Sequence, residues 1–165
     1  MQRSVDTPNC TIEPLREEEE ARQCARMMVS SEPWITLGRT YEDALQVLRD
    51  ASREVYVARS NSRRVGFIIL CMTGAFVGYI QTVCVDPRWR NQGFGSALIR
   101  FAEQRIFREK PNAFMCVSSF NLDAQRLYLQ LGYEVVGELK DYVVSGLSEI
   151  LLRKTIGPLK DWKPG

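Results

Sequence analysis

One stretch constrains the fold of this chain more than any other: Thr82-Val83-Cys84-Val85-Asp86-Pro87-Arg88-Trp89-Arg90-Asn91-Gln92-Gly93-Phe94-Gly95-Ser96-Ala97-Leu98. It reads as a buried strand, a turn with a basic residue, a Gly-x-Gly and a helix. Phe94, Ala97, Leu98, Phe101, Ala102 and Ile106 recur at helical spacing over residues 93–108. A helix start presents unsatisfied N–H groups with the positive end of the dipole behind them, and two glycines let a bulky polyanion approach the main chain. This is chemistry for a pyrophosphate. Glycines before a helix often only make a tight turn, so the context must discriminate. A Walker loop needs Gly-Lys-Ser/Thr, whereas Gly95 is followed by Ser96-Ala97; a dinucleotide fingerprint needs a glycine or alanine where Leu98 stands.

Histidine is absent, and the five cysteines (Cys10, Cys24, Cys71, Cys84, Cys116) form no Cys-x-x-Cys pair. Serine-histidine, cysteine-histidine and histidine-metal chemistries are therefore excluded, and no metal is expected. The odd, scattered cysteines, mostly in apolar runs, are expected to be small buried hydrophobes in a reducing compartment. A net charge of +2 provides no overall field for nucleic acid or an anionic membrane. No stretch approaches ~20 apolar residues and the N-terminal residues have no apolar core, so a soluble, cytoplasmic protein is expected. At 165 residues the chain is the size of one domain, with residues 1–10 a polar lead and 155–165 a loosely held tail.

Ahead of the glycine-rich loop, residues 10–15 alternate weakly as an edge strand limited by Pro14. A helix follows over 16–30, with acidic Glu17 to Glu20 at its start, and a second over 40–52 with Thr40 as N-cap. Strands at 54–59, 65–72 and 77–85 form a meander around Asn61-Ser62 and Thr73-Gly74. After the 93–108 helix come a strand at 114–117, a helix over 123–131 stopped by Gly132, and strands at 133–139 and 149–154. The expected fold is α/β: a mixed, mostly antiparallel central sheet of about seven strands flanked by about four helices.

Arg90-Asn91-Gln92-Gly93-Phe94-Gly95 resembles, at every defining position, the Arg/Gln-x-x-Gly-x-Gly/Ala loop of the GNAT superfamily of N-acetyltransferases. Asn121-Leu122-Asp123-Ala124-Gln125-Arg126-Leu127-Tyr128-Leu129-Gln130-Leu131-Gly132-Tyr133 is similar to that family's Asn-x-x-Ala-x-x-Leu-Tyr-x-x-x-Gly-Phe/Tyr block. The resemblance covers residues 11–154. It implies an acetyl-CoA-dependent enzyme that transfers acetyl directly to an amine, in a ternary complex. It further implies that the backbone of Val83, Cys84 and Val85 holds the pantetheine arm like an added strand, and that Arg90, Asn91, Gln92, Gly93, Phe94, Gly95 and Ser96 hold the pyrophosphate. Asn121, Ala124 and Tyr128 would lie beside the thioester, with Tyr128 acting catalytically on the leaving thiolate; the alternative for Tyr128 is an aromatic packing its helix on the sheet.

An alkylammonium has a pKa near ~10.4, so a base or a water chain must remove its proton before attack. Some family members carry a glutamate on the strand leading into the loop or on the next strand; this chain has Ile80, Gln81, Thr82 and Cys116 there. Glu32 and Glu149 are the remaining candidates, each expected to be a surface charge, and the base stays unassigned. Trp34, Tyr41, Tyr79 and Tyr142 either line an acceptor pocket or merely pack. The acceptor is a small-molecule amine or a peptide, with room left for a homodimer. A protein N-terminal acetyltransferase, or a non-catalytic acyl-CoA sensor, is the alternative.

Overall fold

The computed structural model describes residues 8–164, so most of the polar N-terminal lead lies outside the described residues. The chain runs β1 (Thr11–Pro14), α1 (Glu18–Val29), α2 (Tyr41–Arg49), β2 (Arg53–Ser60), β3 (Arg63–Cys71), β4 (Tyr79–Val85), α3 (Phe94–Phe107), β5 (Asn112–Ser118), α4 (Leu122–Gln130), β6 (Glu134–Lys140) and β7 (Ser148–Thr155). All strands join one sheet in the order β1-β2-β3-β4-β5-β7-β6. Every neighbouring pair is antiparallel except β4–β5, whose crossover carries α3. The sheet is thus mixed and mostly antiparallel, with four α-helices among the described residues.

Local chemistry sets the elements. Thr40 caps α2 in a reciprocal box with Asp43, each side chain bonding the other's backbone N–H. The third meander strand starts at Tyr79, two residues later than its apolar run suggests. Gly78 takes φ 89°, and a Cβ there would sit 2.5 Å from the Asn112 carbonyl oxygen. This glycine lets β5 close against β4 at the base of their parallel pair, where Phe114 N–H donates to the Gly78 carbonyl.

Two apolar layers sandwich the sheet. On one face Ile68, Leu70, Ile80, Met115 and Leu152 pack against Leu98, Ile99, Ala102 and Ile106 of α3. On the other, Val57, Phe67, Ile69 and Cys84 pack against Ala21, Cys24, Ala25 and Met28 of α1 and Ala44, Leu45 and Leu48 of α2. Alternation along each strand assigns its residues to the two layers. Among the described residues, no helix is long and apolar enough to cross a membrane.

Candidate active site

The site begins with a failure of strand pairing. β4 and β5 pair only at Tyr79–Phe114 and Ile80–Met115. β4 then stays with β3 as far as Val85, while β5 stays with β7 as far as Ser118. A register shift opposite Ile69 and Leu70 makes Gln81 a bulge, which bends β4 at the point of divergence. The two half-sheets splay into a cleft of about 1070 Å³. The edge of β4 facing it, beyond Ile80, has no strand partner among the described residues.

Val83, Cys84 and Val85 lie on that edge. Val83 and Val85 pack toward α3, whereas Cys84 points to the opposite layer and is 1% exposed. What these residues offer the cleft is main chain. Burial pushes the Cys84 thiol up, which keeps it protonated.

Beyond Val85 the loop is held from within. The Asp86 carboxylate accepts from the Arg88 N–H at 2.9 Å and pairs with the Arg88 guanidinium. The Trp89 ring stands edge-on to Phe94, and Arg90 Nε donates to the Val85 carbonyl at 3.3 Å. Asn91 and Gly93 both take the left-handed backbone, at φ 58° and 84°. Gly93 then caps α3 without any side-chain bond, and α3 has no acidic residue in its first turn, unlike α1, α2 and α4. The α3 start therefore keeps its N–H groups and positive dipole end uncompensated.

Arg90, Asn91, Gly93, Phe94, Gly95 and Ser96 line the cleft. Gln92 does not: its amide folds back to donate to the Arg88 carbonyl at 3.4 Å. A Cβ at Gly95 would make ordinary contacts with the Leu127 and Val85 side chains, at 3.5 and 3.9 Å. The fold thus does not require glycine there, although the residue lines the cleft.

The α4 block forms the second wall. The Asn121 side-chain oxygen accepts from the Ala124 N–H at 3.3 Å, so it caps α4 rather than standing free. Gln125, an undistinguished position in the sequence, donates to the Ser118 and Ser119 carbonyls and ties α4 to the end of β5. Asn121, Ala124 and Tyr128 line the cleft. The Tyr128 ring packs edge-on to Tyr133 at 6.4 Å, and its hydroxyl has no bond to the described residues. Burial raises its pKa to about 12.

The far half of the cleft overturns one expectation. Glu149 is not a surface charge: it is 7% exposed, lines the cleft, and accepts from the Ser118 hydroxyl through Oε1 at 2.7 Å. Ser118 and Glu149 face each other directly across β5–β7. Burial raises the Glu149 pKa, with the Ser118 hydrogen bond opposing it. Tyr79 and Cys116 lie alongside, both pushed up by burial. Glu32 is exposed, and its carboxylate accepts from the Thr36 N–H at 3.2 Å. Trp34, Tyr79 and Tyr142 line the cleft, while Tyr41 packs on the α1–α2 layer instead. Cys10 and Cys116 are only half-buried, a departure from the expectation that all five cysteines are core residues.

The family model described as acetyltransferase (GNAT) family matches residues 15–133. Nothing among the curated proteins matches the sequence. Among solved structures, an aminoglycoside 6'-N-acetyltransferase complexed with coenzyme A superimposes with TM-score 0.72 at 16% identity, covering 92% of this chain and 99% of that one. A variant of the spermidine N-acetyltransferase from Vibrio cholerae gives 0.70 at 15%, covering 92% and 96%. The ribosomal-protein-S18-alanine N-acetyltransferase from Escherichia coli gives 0.69 at 17%, covering 93% and 99%. At such identities these likenesses establish the fold.

Proposed function

Because this chain belongs to the GNAT family of acetyltransferases, we propose that it transfers an acetyl group from acetyl-CoA to a primary amine by direct attack in a ternary complex. The observation that carries this reading is the convergence, in one cleft, of three groups that such a transfer needs. They are an uncapped helix start at Gly93 to Ser96, an unpartnered strand edge at Val83 to Val85, and a buried carboxylate at Glu149.

In this reading the pyrophosphate rests on the α3 N–H groups beside Arg90, and the pantetheine arm pairs with β4. The acceptor reaches the thioester from the Glu149 side. Glu149 takes one proton from the ammonium, the freed lone pair attacks the acyl carbon, and as the C–S bond breaks the second surplus proton on nitrogen passes to the departing thiolate, giving a neutral amide and a thiol. The departing thiolate is met by the Tyr128 hydroxyl. Gln92 supports the loop rather than the ligand, and Asn121 positions Tyr128 by capping its helix.

The donor site is tested by Gly95→Glu, which puts a carboxylate at the α3 start beside the cleft. Acetyl-CoA affinity measured by calorimetry is expected to fall by at least about 100-fold. Gly95→Ala controls for folding, since its Cβ makes an ordinary contact, and it should be no less stable than the parent. Unaltered affinity in a folded Gly95→Glu protein would remove the pyrophosphate from this helix.

The thiols of Cys84 and Cys116 are held protonated by burial, so neither is a competent acyl carrier at neutral pH. Double-reciprocal plots against both substrates should therefore intersect, and mass spectrometry during turnover should find no acetylated cysteine. Parallel lines or a trapped acetyl-Cys116 would contradict direct transfer.

A further inference from the structure

The acceptor half of the cleft carries cations that the reaction itself does not use. Arg53, Cys71 and Tyr79 stand opposite one another across β2, β3 and β4. All three project on the α1–α2 face of the sheet and line the cleft. Arg53 Nε is buried with no hydrogen-bond partner, and its nearest carboxylate, Asp50, is 3.7 Å away with its other oxygen engaged by Ser52. Arg39, on the connection between α1 and α2, overhangs the same space and pairs with no carboxylate among the described residues. Glu149 closes the opposite end. A polycation would meet two guanidiniums here, at a cost, whereas an oxyanion would find two incompletely paired arginines whose planar forks suit it.

Resting on the acetyl-transfer reading above, we propose that the acceptor is an elongated zwitterion: a primary amine delivered to Glu149, and an oxyanion several bonds away received by Arg53 and Arg39. The length follows from the sheet. Arg53 shares a row with Cys71, Tyr79, Phe114 and Arg153, and Glu149 stands four residues farther along β7 beyond the divergence of β4 from β5, so more than four strand spacings, about 19 Å, separate the two backbones and the side chains close only part of that gap. An α-amino acid is too short to engage both ends. A short peptide with a free C-terminal carboxylate, or an ω-amino acid, fits.

The test measures coenzyme A release from acetyl-CoA with trialanine and ε-aminocaproate, each beside its carboxamide, with phosphoethanolamine beside ethanolamine, and with spermidine. The carboxylates are expected to exceed their amides in kcat/KM by about tenfold or more. Arg53→Gln and, separately, Arg39→Gln should collapse that ratio toward one, through KM. Arg39 bonds nothing through its side chain among the described residues, so its variant reports even if Arg53→Gln folds poorly. A preference for the phosphate over ethanolamine, with none for either carboxylate, would overturn the length assignment and leave a short oxyanion acceptor. Equal use of acids and amides, or spermidine as the best acceptor, would overturn the proposal while leaving acetyl transfer intact. Acetyl-CoA binding is measured separately by calorimetry without acceptor, and its absence would instead bring down the donor reading on which this one rests.

Discussion

Glu149→Gln is expected to lower kcat by about 10²- to 10⁴-fold and, at the same time, to make the protein more stable at neutral pH. The two effects share one cause. The Glu149 carboxyl is buried against β5 with a single hydroxyl donor, so folding raises its pKa above the ordinary 4.5. Below that ordinary value the carboxyl is neutral both folded and unfolded, and its contribution to stability is fully present. As pH climbs through the raised folded pKa, the unfolded chain ionises freely while the folded one ionises against its desolvation, and that contribution is lost. Glutamine keeps the neutral form at every pH and can still accept from Ser118. Melting temperatures of parent and variant should therefore coincide in acid and separate, with the variant higher, above the raised pKa. The acid limb of the parent's kcat/KM profile should lie above the usual carboxylate range. A variant that melts lower at neutral pH and turns over normally would reduce Glu149 to a strut between β5 and β7.

Tyr128→Phe should lower kcat by roughly 10- to 1,000-fold, with little change in acetyl-CoA affinity or thermal stability. The ring packs on Tyr133, and phenylalanine preserves that contact. The lost group is a hydroxyl with no partner among the described residues. Its mode of action is narrowed by its environment: burial raises the phenol pKa to about 12, and a phenol is already a weaker acid than a thiol, so complete proton transfer to a free thiolate would be uphill. The hydroxyl therefore acts by donating a hydrogen bond to sulfur as charge develops, or by moving its proton in concert with C–S cleavage. Turnover in a folded Tyr128→Phe protein equal to the parent's, with a known acceptor, would leave the residue only its packing role.

What could be read from the chain was whatever is local in sequence. The Thr40 cap and the helix after the Gly-x-Gly carry their signals in neighbouring residues, so spacing recovers them, whereas the Asn121-to-Gly132 block stands out as a site only through its resemblance to the GNAT pattern. Glu149 is a candidate from the sequence, but its burial in the cleft is out of reach for the opposite reason. Alternation on β7 says which residues share a face but not which face is buried, and its partner Ser118 lies 31 residues away across a register that only the folded sheet defines. Arg53 was hidden likewise, since its place in the cleft depends on pairing with Cys71 and, through it, Tyr79. Tyr41 and Gln92 show the converse, residue types suited to a site that the fold turns to packing and loop support.

The divergence of β4 from β5 has a consequence for what the molecule avoids as well as for what it holds. An unpaired strand edge at the rim of a sheet is an invitation to any other extended chain, and proteins blunt such rims with charge, proline or brevity, as Pro14 does on β1. Here an open edge lies in the interior of the sheet, between two half-sheets still joined at Tyr79–Phe114 and Ile80–Met115. A strand arriving from another protein's sheet would have to leave its own neighbours behind to lie between the two half-sheets. The recess thus turns the backbone groups that invite aggregation at a rim toward a space reached only between β4 and β5.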